Sequence, residues 1–61
     1  MGKIENDTKS AIEKFAKDRN LEDLLISISH IADYSVRSVT HYGILIDSIR
    51  KYSKKYEIRD I

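Results

Sequence analysis

His30, Asp33, Arg37 and His41 follow one another at spacings of three and four residues, so on a helix each neighbours the next. Imidazole and carboxylate are metal-ligand types, and His30 with Asp33 is the pair that could begin a metal site. One helix offers too few ligands, but a second copy of the chain would double the set. The simpler reading, an exposed ladder of ion pairs, is preferred. A second constellation lies near the C-terminus. Arg50, Lys51, Lys54 and Lys55 are interleaved with Tyr52 and Tyr56, with Tyr34 and Tyr42 upstream. Cations that follow a phosphate backbone beside rings that stack on bases would make a nucleic-acid contact. Against it, Tyr42, Tyr52 and Tyr56 keep the spacing of a packing seam, and no nucleic-acid-binding motif accompanies them. For catalysis there is no nucleophile elbow, no glycine-rich phosphate loop and no HExxH spacing. An enzyme is not expected, and no cofactor is implied.

The element that must position these residues is the stretch 21–56. In sevens, with Leu25 at position a, the a sites are Leu25, Ala32, Val39, Ile46 and Ser53. The d sites are Ile28, Ser35, Tyr42, Ile49 and Tyr56, and the g sites are Leu24, Ile31, Ser38, Leu45 and Tyr52. Three adjacent columns stay apolar or small, which is a helical period. The spacing predicts one long helix over 21–56, about 54 Å in length. A break near 38–43 is the second choice. Val39 and Thr40 are β-branched there, and Gly43 costs about 1 kcal/mol relative to alanine. The register nevertheless crosses that region without a phase shift.

Before it, a first helix is predicted over 7–18, with Thr8, Ala11, Ile12, Phe15 and Ala16 on its apolar face and Ile4 able to extend it. Residues 1–6 are expected to be loose. The break falls at Arg19-Asn20. There Asn20 can cap the second helix, and Glu22 and Asp23 suit the positive end of its dipole. Residues 57–61 are expected to form a frayed or docked tail. The expected fold is therefore all-α, one domain, a hairpin of a short and a long helix.

The mismatch in length bears on assembly. A helix of about 18 Å covers only the first third of its companion. Val39, Tyr42, Leu45, Ile46, Ile49, Tyr52 and Tyr56 are left without an internal partner. Burying one large aliphatic side chain contributes roughly 1.5–3 kcal/mol, so this row is expected to be an interface with a second copy. The simplest result is an antiparallel homodimer forming a four-helix bundle. Ile26, Val36 and Ile44 lie off the main stripe and extend the options to a tetramer.

The middle of the stretch adds a likeness. Small residues at Ala32, Ser35 and Ser38 suit a close crossing of helices. The run from Leu24 to Val36, above all Ile31-Ala32-Asp33-Tyr34-Ser35-Val36, resembles the signature helix of PhoU-type phosphate-uptake regulators. That resemblance covers about a third of the chain. It implies long antiparallel helices, a role in regulating phosphate uptake, and contact with a transporter or a sensor kinase. Asp33 matches the second acid of the family's metal motif. Ser29 stands in place of the first acid, and Thr40 where a later Glu is common.

Composition bounds the rest. Sixty-one residues without cysteine allow neither a disulfide framework nor a thiolate metal site, so self-association is the remaining reinforcement for a small core. About a third of the residues are charged, and the net charge is +1, which does not describe a general polyanion binder. The charge is uneven. Residues 1–33 carry five basic and seven acidic groups, a net of −2, and residues 34–61 carry six basic and three acidic groups, a net of +3. Opposite poles favour antiparallel association. No apolar run is long enough to span a bilayer, and the first residues lack the apolar core of a secretion signal. A cytoplasmic chain without membrane insertion is expected. The functional expectation is a regulatory or protein-interaction module, with a small DNA-binding regulator using Arg50, Lys51, Lys54 and Lys55 as the alternative.

Overall fold

The computed structural model of the chain describes residues 2–58. It contains α1 (Lys3–Asp18), α2 (Leu21–Ser35) and α3 (Val39–Lys55), with no strand among the described residues. The fold is all-α, as the periodicity requires. The single helix over 21–56 is not formed. The chain turns at 36–38, so the hairpin of unequal helices becomes three helices of similar length.

Local chemistry explains the turn. Ser38 is extended at φ −154° and ψ 157°, and its Oγ accepts a hydrogen bond from the His41 N–H at 3.1 Å, the geometry of an N-cap. Upstream, the Ser35 hydroxyl donates to the Ile31 carbonyl at 2.6 Å and the Val36 N–H to the Ala32 carbonyl at 3.1 Å, which closes α2. The β-branched Val39 and Thr40 then fall in the first turn of α3. Gly43 lies inside α3 and marks no break.

α1 begins at Lys3 and not at 7, so residues 3–6 are helical where a loose end was expected. The cause is Ile4, which is buried against Ile31 and Leu45. It continues the row Thr8, Ile12 and Phe15 by one turn. The break at 19–20 is made without glycine or proline. Arg19 adopts a left-handed conformation at φ 56°, donates its N–H to the Phe15 carbonyl at 2.8 Å and lays its guanidinium over the Phe15 ring. Asn20 caps α2 by accepting from the Asp23 N–H at 3.1 Å.

α3 ends in a Schellman motif. Glu57 is left-handed, Ile58 donates to the Ser53 carbonyl at 2.8 Å and Glu57 to the Lys54 carbonyl at 3.2 Å. That motif turns Ile58 into the core. Arg59, Asp60 and Ile61, the remainder of the expected tail, lie outside the described residues.

Two apolar clusters show how the helices run. Ile12 and Phe15 meet Leu24, Tyr52 and Ile58 at one end, and Ile4 meets Ile31 and Leu45 at the other. α2 is therefore antiparallel to α1, and α3 parallel to it. α1 packs on both α2 and α3, which touch each other least. The longest dimension is 31 Å, against the 54 Å rod expected from the heptads. Leu45 and Tyr52 were expected to lack an internal partner, yet both are buried within the chain, and Ile49 and Tyr56 pack against the same clusters. The length mismatch from which self-association was inferred does not exist in the folded chain.

Each helix also buries one small hydroxyl residue: Thr8 on α1, Ser35 on α2 and Ser48 on α3. The Thr8 hydroxyl has no hydrogen-bond partner among the described residues. A buried hydroxyl without a partner costs about 1–3 kcal/mol. Thr8→Val keeps the shape and removes that cost, so it should raise unfolding stability by about 1 kcal/mol in urea denaturation. Unchanged or lower stability would show that the hydroxyl is satisfied. Gly43 is exposed inside α3, its φ is not positive, and a methyl group placed there meets nothing. Gly43→Ala should therefore stabilise the fold by about 1 kcal/mol, read as a higher urea midpoint with an unchanged slope.

Candidate functional site

The acids of α1 organise one flank of the molecule. Tyr34 on α2 donates its phenol proton to Asp7. On α3, Tyr52 donates to Glu5 at 2.8 Å and Tyr56 to Glu13 at 2.9 Å. Lys51 joins Glu5 at 3.2 Å, and Lys14 pairs with Asp23 at 2.7 Å. The hydrogen bond from Tyr52, and then Lys51 through its own bond and charge, hold the Glu5 carboxyl below its ordinary range. The same bonds raise Lys51 and Tyr52, and the bond to Glu13 raises Tyr56. Three of the four tyrosines thus fasten α2 or α3 to α1. Heptad spacing cannot reveal such long-range pairs. The available signal was that Glu5, Asp7 and Glu13 border the apolar row of α1.

These contacts decide where the expected site residues lie. Of the cations near the C-terminus, Lys51 is held by Glu5 and lies over the Tyr52 ring, and Lys55 lies over the Tyr56 ring. Arg50, Lys54 and Lys55 are exposed, whereas Tyr52 is buried and Tyr56 half-buried. The Tyr52 and Tyr56 rings, which would stack on bases beside these cations, are therefore occupied in packing. His30 and Asp33 are both exposed on α2. Among the described residues no group of three or more His, Cys, Asp or Glu side chains gathers to hold a metal ion.

The expected interface row divides. Leu45 and Tyr52 are core, and Ile46, Ile49 and Tyr56 are half-buried. Val39 and Tyr42 remain open, at 91% and 47% exposure. They belong to a run, 36–44, in which every residue is exposed. Val36, Ser38, Val39 and Tyr42 line a hollow of about 290 Å³ at the α2–α3 corner. By helical spacing Leu21, Leu25, Ala32 and Val36 share one side of α2, and Val39, Tyr42 and Ile46 one side of α3. Leu21, Leu25 and Val36 are each exposed by more than two-fifths. Exposed apolar side chains grouped like Val36, Val39 and Tyr42 mark contact surfaces.

A larger cleft, about 650 Å³, opens between the start of α1, the end of α2 and the first turns of α3. Ile4, Tyr34 and Ile44 supply its apolar wall, and Lys3, Arg37 and His41 its ionisable groups. Sequence reasoning placed Arg37 and His41 on a ladder with His30 and Asp33. The turn at 36–38 instead lets both line a space that α1 helps to close.

The stretch likened to phosphate-uptake regulators, 24–36, occupies α2 from its fourth residue onward and the first residue of the turn. Ile31 and Ser35 are buried, Asp33 is exposed, and Tyr34 is bonded to Asp7. No family model, curated protein or solved structure matches this chain. No helix among the described residues is long and apolar enough to cross a membrane.

Tyr34 offers a test of the flank. Partial burial first, then the bond to Asp7 and the charge of that carboxylate, push its phenol up to about 12. An unfolded chain loses this proton near pH ~10. Between the two values the folded state holds the extra proton, so stability is fully present below about 10 and falls as pH rises toward 12. Tyr34→Phe should lower stability near pH ~8 by about 1 kcal/mol. It should also make the alkaline decline shallower than in the wild type, measured by urea denaturation from pH ~8 to ~11. Parallel alkaline declines would remove Tyr34 from the account.

Proposed function

We propose that this chain is a non-enzymatic interaction module that self-associates through the apolar corner of α2 and α3. The observation that carries the reading is the run of exposed residues 36–44, with Val36, Val39 and Tyr42 around one hollow, and Leu21 and Leu25 also exposed on α2. Distribution of charge adds to it. The acids Glu22 and Asp33 lie exposed on α2, and the cations Arg50, Lys54 and Lys55 exposed on α3. A two-fold arrangement sets α2 of one copy beside α3 of the other, which brings opposite charges together at the rim of the apolar contact. Sedimentation equilibrium at micromolar concentration should give a concentration-dependent dimer. Val39→Asp combined with Tyr42→Ser should abolish it, with the helical circular dichroism spectrum unchanged because neither side chain is in the core. A wild-type chain that is monomeric at a few hundred micromolar would overturn the proposal.

A further inference from the structure

The cleft at the other edge of the 36–38 turn differs in chemistry from the apolar corner. Its volume, about 650 Å³, is that of a small-molecule site. Ile4 and Ile44 provide aliphatic wall, and the Tyr34 ring provides aromatic wall. The position of that ring is fixed by the phenol bond to Asp7. The charges in and around the cleft are unbalanced. Glu5 is its one acidic lining residue, and the Glu5 carboxylate is turned to Tyr52 and Lys51. Asp7 accepts from Tyr34 and stands 3.9 Å from Lys3. Arg37 pairs with no carboxylate among the described residues, and the His41 side chain has no hydrogen-bond partner there. Lys3 lies over the Tyr34 ring, 5.0 Å from its centre. Apolar walls with an unpaired guanidinium at the rim complement a molecule that has an apolar tail and an anionic head. A guanidinium fork matches a planar carboxylate with two parallel hydrogen bonds. A cationic amphiphile would meet Arg37 and Lys3 with like charge, and a fully apolar ligand would leave them unused.

We propose that this cleft binds a small amphipathic carboxylate, its tail against Ile4, Tyr34 and Ile44 and its head at Arg37, with Lys3 and His41 beside it. The site does not depend on self-association, since a monomeric chain carries the same cleft and neither Val39 nor Tyr42 lines it.

Decanoate, used well below its micelle concentration, is the probe. It is titrated into the isotopically labelled full chain and followed by amide and methyl chemical shifts. Saturable shifts centred on Ile4, Tyr34 and Ile44 are expected. Arg37→Gln should weaken decanoate about tenfold or more. Ile44→Ser should weaken it as well, and Lys3→Gln to a smaller degree because Lys3 already has Asp7. Arg37 and Lys3 are exposed and Ile44 is partly so, so the unliganded spectra should otherwise be preserved. Decyltrimethylammonium, of the same tail length and opposite charge, should not bind at this cleft. Absence of saturable shifts would overturn the proposal. So would shifts centred on Val36, Val39 and Tyr42, equal binding of the cationic amphiphile, or unchanged affinity in Arg37→Gln.

Discussion

The structure depends on one row of side chains, Ile4, Thr8, Ile12 and Phe15, on one side of α1. α2 and α3 make little contact with each other, so each must find its apolar partner on that row. Ile12 has no exposed surface, and the two clusters that hold α2 and α3 divide the row between them. Burial of a single such side chain contributes roughly 1.5–3 kcal/mol. The tyrosine-to-carboxylate bonds along the flank are partly exposed and worth less, as surface polar contacts generally are. They fix how far α2 and α3 rotate about α1 after the row has brought them together. In a chain this short the row and its three clasps leave little in reserve, which is why a partnerless hydroxyl at Thr8 is conspicuous.

The heptad pattern was a correct record of faces and an incorrect record of axes. Its g column, Leu24, Ile31, Leu45 and Tyr52, is the core of both α2 and α3, and all four are buried. The fifth member, Ser38, is exposed and is the N-cap at the turn. Periodicity reports which positions meet apolar surroundings. It does not report whether the helix axis continues between them. A turn of three residues restores nearly the same phase on the far side, so the register ran through unbroken while the chain reversed. What marks the reversal is capping chemistry. Ser38 is an acceptor with a free amide three residues on, and β-branched Val39 and Thr40 follow it. The same reasoning applied at Asn20 did find the start of α2, because there the acids Glu22 and Asp23 reinforced the cap.

The candidate site was legible in its parts and not in its grouping. Val39 and Tyr42 were recognised as apolar side chains in want of cover, and they are open in the folded chain. Leu45 and Tyr52 were placed with them because all four keep one stripe on a straight rod. Once the rod is folded, the stripe separates into a buried part beside α1 and an open part at the corner. Arg37 and His41 drew notice for their spacing along a helix, yet what brings them to one cleft is the turn between them and the early start of α1. Their meeting could not be read, because the residues concerned lie more than thirty positions apart in the sequence.

Both hollows take part of their lining from the exposed segment 36–44. Residues 36–44 are exposed without exception, and α1, which secures everything else, meets α3 mainly beyond them, at Leu45 and Tyr52. Adjacent residues of the turn serve opposite sides: Val36 lines the apolar corner and Arg37 the cleft. The backbone there is held by the closing bond of α2, the Ser38 cap and the first turns of α3, and by no buried side chain among its own residues. Segments with few buried contacts open at lower free energy than the core they adjoin. Substitutions on such a segment cost the fold little, since polar or apolar exchange at Arg37, Val39 or Tyr42 leaves the row on α1 intact. The division of labour follows from the packing. α1 supplies the row that holds the other helices, and the turn it leaves uncovered supplies exposed surface.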